Sequence, residues 1–248
     1  MQKTSLQKPP LPLRQDRQAR MMKKPHDMGG LPGGAIIPDF GKEPVFKEGW
    51  HGRALALTLA AGALGRWNLD ASRNARECLP ADDYNRFSYY EKWLAGLTNL
   101  LVSHQLVSRE ELKDRRADKN APDIDANPLS AAKVSAVLKT GGPTRRKVAV
   151  APRFTVGDFV STKSLQQDVS QPNNHTRLPY YASGKKGRII ACHDAHILPD
   201  SHAHFNGEAP EYLYGVQFLA GDLFADVEHP EDEICLDLFE SYLEPLKI

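Results

Sequence analysis

One short stretch of the chain contains two pairs of residues at helical spacing, an arginine with a glutamate and a tyrosine with a tryptophan. Arg73 and Glu77 are four residues apart, so on a helix their side chains share a face and can form an ion pair. Tyr89 and Trp93 have the same spacing in the segment that follows. Two interpretations stay open from spacing alone: a functional corner of charged and aromatic groups, or a surface ion pair beside a core tyrosine and tryptophan.

Two predicted helices carry these four residues. Asp70 is a suitable N-cap for the first helix, because its side-chain oxygen can accept a hydrogen bond from an unpaired backbone N–H. Pro80 disfavours helix in the residue before it, so the first helix should end there. Ser88 and Glu91 form a capping box, which predicts a second helix from residue 89 to about residue 104.

A second group of polar residues suggests a metal site. Its potential zinc ligands are Cys192, His193, His196, His202 and His204. Their spacing matches no closed tetrahedral motif, so a polar loop between strands is the favoured interpretation. Arg177 stands just before two tyrosines, and cation–π packing alone could account for its position.

Composition narrows the class of protein. The chain has 248 residues and a formal net charge of +1, so no global field argues for nucleic acid or an anionic membrane as partner. Its longest apolar run, residues 54–64, is too short to span a bilayer. The three cysteines form neither a paired disulfide framework nor a C-x-x-C motif. A reducing cytoplasm suits such thiols best, and we expect a cytoplasmic protein.

The order of the patterns predicts an α+β fold, in which an N-terminal extended arm and an α-helical domain precede a C-terminal small SH3-like β-barrel or roll. Helical periodicity dominates the first half, whereas short runs such as residues 212–219 alternate from residue 152 onward. The expected units are a disordered basic extension (1–24), an arm that wraps a partner subunit (25–48), a helical domain (49–140), a solvated basic linker (141–151) and the β-barrel domain (152–248).

The chain resembles the β subunit of nitrile hydratase in an ordered set of short motifs from about residue 25 to the C-terminus. In the first half the motifs are His-Asp-Met-Gly-Gly at 26–30, Glu-Pro-Val-Phe at 43–46 with Trp50 after it, and Tyr-Tyr at 89–90 with Trp93. In the second half they are His-Thr-Arg at 175–177, Pro-Asp at 199–200, His204, Gly-Glu at 207–208, Leu-Tyr at 213–214 and Asp-Leu-Phe-Glu-Ser-Tyr-Leu-Glu at 237–244.

This resemblance implies a lyase that hydrates nitriles to amides and whose metal lies outside this chain. Members of the family pair with an α subunit in αβ or α2β2 assemblies. The α subunit holds Co(III) or Fe(III) through a Cys-x-x-Cys-Ser-Cys loop, two of whose cysteines are oxidised. That loop is absent from this sequence, so the resemblance implies no metal ligand in this chain.

The resemblance also assigns roles to six residues by motif. It implies that two arginines of the β subunit hydrogen-bond the oxygens of the oxidised cysteines, for which a planar guanidinium has the right geometry. A glutamate orients the first arginine, a tyrosine reaches into the pocket, and a tryptophan lines the substrate channel. The residues carried over are Arg73, Arg177 and Tyr89 as catalytic residues, and Glu77, Trp93 and His175 as pocket and supporting residues.

At two positions the sequence departs from the family pattern. Glu91 and Lys92 stand where many family members have aromatic residues, which would change the polarity of the channel.

Other hypotheses compete with the nitrile hydratase assignment. The first motif also resembles that of thiocyanate hydrolase, in which the two halves are separate chains. A non-enzymatic activator of the metal subunit and an RNA-binding SH3-like module are further alternatives, although RNA binding usually needs a basic surplus.

Overall fold

Helices fill the first half of the chain and an antiparallel sheet fills the second, which confirms the predicted α+β class. The computed structural model describes residues 24–31, 38, 41, 43–119, 129–165 and 175–246. Within these residues the helices of the first half are α1 (Gly49–Gly62), α2 (Leu69–Glu77), α3 (Ala81–Arg86), α4 (Tyr89–Ser103), α5 (Arg109–Asp114) and α6 (Ala131–Thr140). None of the described helices is long and apolar enough to cross a bilayer.

Side-chain caps decide where the helices begin. Ser88 and Ser108 open α4 and α5 through capping boxes, and the prediction for α4 is confirmed. The predicted N-cap of α2 is wrong, because Asn68 takes that position and its Oδ1 accepts a hydrogen bond from the Ala71 N–H at 2.8 Å. Asp70 instead lies in the first turn, where a negative charge is favoured by the helix dipole.

Helices α2 and α4 pack against each other at the centre of the helical half. Ala71 of α2 and Leu97 of α4 are buried in the same apolar cluster. A Cβ added at Gly96 of α4 would lie 2.6 Å from Cγ of Arg76, so the two helices approach at a point where only glycine fits. This close approach fixes the orientation of α2, which carries Arg73 and Glu77 on one face.

Six antiparallel strands form one sheet in the second half. They are β1 (Arg145–Arg146), β2 (Phe159–Thr162), β3 (Lys186–His196), β4 (Glu211–Leu219), β5 (Glu233–Phe239) and β6 (Leu243–Pro245). The order is β5–β4–β3–β2–β6, and β1 pairs with β3. Two short helices, α7 (Pro199–His202) and α8 (Ala220–Leu223), lie between strands. Among the described strands this order is open, so the predicted SH3-like barrel is not confirmed.

The core of the sheet follows the predicted alternation. Tyr214, Val216 and Phe218 of β4 are buried on one side, as the sequence of this strand predicts. They pack in a cluster with Ile189 of β3 and Leu238 of β5. These neighbours show that the three central strands share one apolar face.

Two polar segments of the second half lie in strands, contrary to their predictions. Residues 193–196, predicted as a polar loop, belong to β3, because their backbone pairs with β4 regardless of the polarity of their side chains. Arg145 and Arg146, predicted in a solvated linker, form β1 instead. Arg145 lies 3.0 Å from Asp194, and Arg146 makes two 2.7 Å hydrogen bonds to Glu208.

The described part of the arm, residues 24–31, packs against its own chain. Asp27 accepts a hydrogen bond from the Tyr180 N–H at 2.8 Å. A Cβ at Gly29 would lie 2.5 Å from the ring of Tyr181, so the backbone is in close contact with that ring. Contact of the arm with a partner stays a prediction, and the predicted basic extension lies outside the described residues apart from Lys24.

Candidate active site at the junction of the two halves

A mostly buried carboxylate joins the helical half to the sheet half. Glu77, the last residue of α2, accepts a hydrogen bond from Nδ1 of His175 at 2.6 Å and another from the guanidinium of Arg177 at 3.2 Å. His175 is fully buried, whereas the Arg177 side chain is 32% exposed. The structure therefore brings together three of the six residues carried over from the resemblance.

The hydrogen bonds within this cluster define the tautomer of His175. A guanidinium nitrogen of Arg177 lies 2.9 Å from Nε2 of His175. Arginine can only donate, so Nε2 of the neutral ring accepts and the ring proton is on Nδ1, which donates to Glu77. Each member of the triad thus contacts the other two, and the guanidinium is fixed by two bonds in different directions.

The cluster keeps Glu77 ionised. Burial raises the pKa of its carboxyl group, but the hydrogen bond from His175 and the positive charge of Arg177 outweigh this effect and lower the pKa to about 2. His26 of the arm also lies near this carboxylate, with its Nε2 3.7 Å from Glu77. Glu77 therefore carries a full negative charge at neutral pH, opposite the positive charge of Arg177.

The backbone of Arg177 is held from a second side. Its N–H donates to the Tyr242 hydroxyl at 3.0 Å, and this hydroxyl in turn donates to Asp200. Burial, followed by the negative charge of Asp200, raises the pKa of Tyr242, so the phenol keeps its proton. Side chain and backbone of Arg177 are thus anchored independently.

Arg73 does not form the ion pair that its spacing predicts. Its guanidinium donates to Asp70, three residues earlier, at 3.1 Å, and its side chain is 46% exposed. Glu77 is engaged by His175 and Arg177 instead, because two donors from the sheet half occupy both of its oxygens. Arg73 still lies one turn before Glu77 on α2.

Aromatic side chains form a surface beside this cluster. Tyr89 is 64% exposed, and its ring centroid lies 5.6 Å from that of Trp93 and 5.1 Å from that of Tyr90. The guanidinium of Arg76, next to Glu77 in sequence, stacks on the Trp93 ring at 4.6 Å. Trp93 and Tyr89 are therefore linked to α2 through a residue that the sequence analysis did not select.

His26 is the second residue that sequence reasoning missed as part of the site. It contacts Glu77, its ring meets that of Tyr84 edge-on at a centroid distance of 6.3 Å, and burial lowers its pKa. Its Nδ1 is buried and has no hydrogen-bond partner among the described residues. The signal was its place in the His-Asp-Met-Gly-Gly motif at residues 26–30.

The candidate zinc ligands are dispersed over several contacts. His193 pairs with Asp237 at 3.1 Å, His196 with Thr144 at 2.9 Å, and His202 with Asp70 at 2.9 Å. Within the described part of the chain, no group of three or more His, Cys, Asp or Glu residues is placed to hold a metal ion.

Comparison with known proteins identifies the class to which this fold and cluster belong. A family model described as nitrile hydratase beta subunit, N-terminal, matches residues 22–139, and the corresponding C-terminal model matches residues 143–245. The chain therefore belongs to the nitrile hydratase β-subunit family.

Individual relatives agree with this assignment. The low-molecular weight cobalt-containing nitrile hydratase subunit beta of Rhodococcus rhodochrous is 34% identical over 226 residues, which cover 89% of this chain and 98% of the relative. The cobalt-containing nitrile hydratase subunit beta of Pseudonocardia thermophila is 30% identical over 88% of this chain and 94% of its own length. The nitrile hydratase subunit beta of Pseudomonas putida is 32% identical over 89% and 98%.

One solved structure matches a smaller part of this chain than these relatives do. The recombinant apo-enzyme of thiocyanate hydrolase from Thiobacillus thioparus matches 48% of this chain and 99% of its own, with 24% identity and a TM-score of 0.35. A likeness at this level supports no conclusion about fold or activity.

Proposed function

We propose that this chain acts as the β subunit of a metal-dependent nitrile hydratase, which hydrates nitriles to amides at an interface with an α subunit. In this proposal Arg73 and Arg177 donate hydrogen bonds to anionic oxygens on the metal-bound cysteines of the partner. The observation that carries it is the partly exposed guanidinium of Arg177, fixed by the mostly buried Glu77 and the buried His175. The family assignment supports the same reaction.

The charge balance of the cluster suits this task. Arg177 and Glu77 compensate each other, so neither charge is left unpaired before a partner binds. A guanidinium has five N–H donors and the cluster uses two of its nitrogens, which leaves donors for an incoming anion. Because the guanidinium of Arg177 is already oriented, little side-chain entropy is lost when the anion binds.

The residues of this chain would orient the oxidised ligands of the metal and shield the pocket from water. The metal chemistry itself would come from the partner subunit. Co(III) or Fe(III) held by the α subunit would act as a Lewis acid or activate water. Arg73 and Arg177 would hold the oxidised ligands in place and affect the metal through them. Tyr89 and Trp93, at the exposed aromatic surface, would line the pocket that admits the nitrile and excludes bulk water.

The nature of the complex belongs to the same proposal. Two relatives are named cobalt-containing, which favours cobalt over iron for the partner's metal. We propose an αβ or α2β2 assembly in the cytoplasm, with a permanent rather than a transient contact between subunits.

Substitution of Arg177 tests the proposal in the complex with a co-expressed α subunit. Arg177→Ala is expected to lower kcat for nitrile hydration by about 100-fold, because an oriented donor is lost. Arg177→Lys keeps the charge but not the fork and should lose about tenfold. Arg145→Ala is the matched control, since Arg145 pairs with Asp194 on the sheet. Unchanged kcat in Arg177→Ala, at normal metal content, would refute the assigned role.

A further inference from the structure

A single histidine fixes the start of α2 from the sheet half. Nδ1 of His202, at the end of α7, lies 2.9 Å from Oδ2 of Asp70. The backbone oxygen of His202 accepts a hydrogen bond from the Asn68 side chain at 2.7 Å. Asn68 is itself the N-cap of α2, so both contacts reach the same helical turn.

Asp70 connects this histidine to Arg73. It is buried, and its two oxygens have different partners: Oδ2 faces His202 and Oδ1 accepts from the Arg73 guanidinium at 3.1 Å. A carboxylate held at both oxygens cannot rotate without losing a bond. The Arg73 guanidinium is thus bound to a carboxylate whose other oxygen contacts His202.

A similar arrangement occurs twice on α2, and in the one at Glu77 the histidine also contacts the arginine directly. His175, Glu77 and Arg177 form one histidine–carboxylate–arginine chain, and His202, Asp70 and Arg73 form the other. Both carboxylates belong to α2, seven residues and about two turns apart, so they lie on one face of the helix. Both histidines come from the sheet half. Each partly exposed arginine is thus held by a carboxylate that a histidine orients.

We propose that His202 is a positioning residue that sets the direction of the Arg73 guanidinium through Asp70. The inference rests on the proposed function, because it gives this direction a purpose: alignment of Arg73 with the anionic oxygens of the partner subunit. A merely structural His202 would stabilise the junction between the halves without affecting the reaction.

The test compares two substitutions of His202 in the complex with the α subunit. His202→Leu removes the donor and is expected to lower kcat about tenfold with little change in KM, because the substrate pocket is intact. His202→Asn keeps a donor near the position of Nδ1 and should recover most of the activity. His193→Leu is the matched control, as it removes a histidine from a histidine–carboxylate pair on the sheet. Wild-type kcat in His202→Leu overturns the inference.

A double-mutant cycle tests the route through Arg73. In the Arg73→Ala background, His202→Leu should cause no further loss of kcat, since the guanidinium it orients is gone. Urea unfolding of the same four complexes gives a readout independent of activity. The effects of the two substitutions on the unfolding midpoint should be non-additive, because Asp70 links the side chains. Additive effects on kcat and on unfolding overturn the inference.

Failures of the two proposals are distinguishable. If Arg73→Ala keeps wild-type kcat, the proposed function of Arg73 is wrong and the inference falls with it. If Arg73→Ala is impaired but His202→Leu is not, only the inference is wrong. Should His202→Leu fail to assemble, Asp70→Asn replaces it, because it keeps the size and removes the charge that orients Arg73. Wild-type kcat in Asp70→Asn is then the overturning result.

Discussion

Glu77 is an uncommon residue because it is charged, mostly buried and shared by both halves of the molecule. Burial alone would favour its protonated form. Its oxygens instead receive donors from His175 and Arg177, so the ionised form is the stable one and the pKa falls to about 2. The energy of this contact is therefore linked to pH.

Glu77→Gln should remove this linkage. A carboxyl whose pKa drops from 4.5 to about 2 on folding stabilises the native state by about 3 kcal/mol. This stabilisation is complete above pH 4.5 and is lost as the pH falls from 4.5 to 2. We expect the substitution to lower the free energy of unfolding by about that amount at pH 7, and to flatten its pH dependence within that window. Urea unfolding over a pH series measures both effects.

Glu208→Gln is the control for this prediction. Glu208 also pairs with an arginine, but on the exposed surface, where solvent screens the ion pair. Its substitution should change stability far less than Glu77→Gln does. An equal loss from the two substitutions would contradict the central role of Glu77.

Helical spacing identified the residues of α2 but not their partners. Spacing correctly placed Arg73 and Glu77 on one helix, yet it predicted a pair between them. The observed partners of Glu77 are 98 and 100 residues away, and His202 is 132 residues from Asp70. Helical periodicity describes which side chains share a face, and it contains no information about donors from another part of the chain. Motif resemblance supplied His175 and Arg177.

At the scale of elements, the position of α2 depends on its contact with α4. A Cβ at Gly96 would clash with Cγ of Arg76, and the guanidinium of Arg76 stacks on Trp93. A wider separation would move the face of α2 that carries the candidate site. The glycine therefore matters for orientation as well as for packing.

Gly96→Ala tests this dependence. Alanine favours helix by about 1 kcal/mol over glycine, but its Cβ would lie 2.6 Å from Cγ and 3.3 Å from the backbone nitrogen of Arg76. We expect the steric cost to win, with a net destabilisation of about 1–3 kcal/mol. Gly62→Ala is the control, as nothing lies within 4 Å of a Cβ there. Thermal unfolding should show a lower midpoint for Gly96→Ala and a higher midpoint for Gly62→Ala. A higher midpoint for both substitutions would disprove the close approach.

Elements with a local signal were predicted well, and those without one were not. The capping box at Ser88 and the alternation in β4 each lie within a few consecutive residues, and both are confirmed. Strand β1 has only two residues, both arginines, and exists because β3 offers it a pairing edge. Asn68, and not Asp70, is the N-cap of α2. Both residue types suit that position, so the sequence alone could not decide between them and the choice depends on packing.

At the scale of the whole molecule, contacts from several places hold the two halves together. They include the arm through Asp27, the start of α2 through His202, and the end of α2 through Glu77. The two candidate arginines are therefore positioned by the junction itself and not by either half alone. We propose that the partner binds across this junction and contacts both arginines.

The exposed aromatic surface beside the junction is where we expect the α subunit to bind. Tyr89 and Phe159 are both 64% exposed, but only Tyr89 contacts the aromatic cluster next to α2, whereas Phe159 lies on β2 of the sheet. Tyr89→Ser should therefore weaken the complex or lower kcat/KM about tenfold, because aromatic anchors dominate interfaces and pockets. Phe159→Ser should leave the complex and its activity unchanged.

Co-purification at increasing salt, followed by size-exclusion chromatography, distinguishes the outcomes. A permanent β subunit should keep a constant ratio to the α subunit at high salt, since a largely apolar contact is not screened. A transient activator would dissociate on dilution and leave an active α subunit behind. If Phe159→Ser disrupts the complex while Tyr89→Ser does not, the interface lies on the sheet, and the alignment of Arg73 and Arg177 with a partner's metal centre is no longer supported.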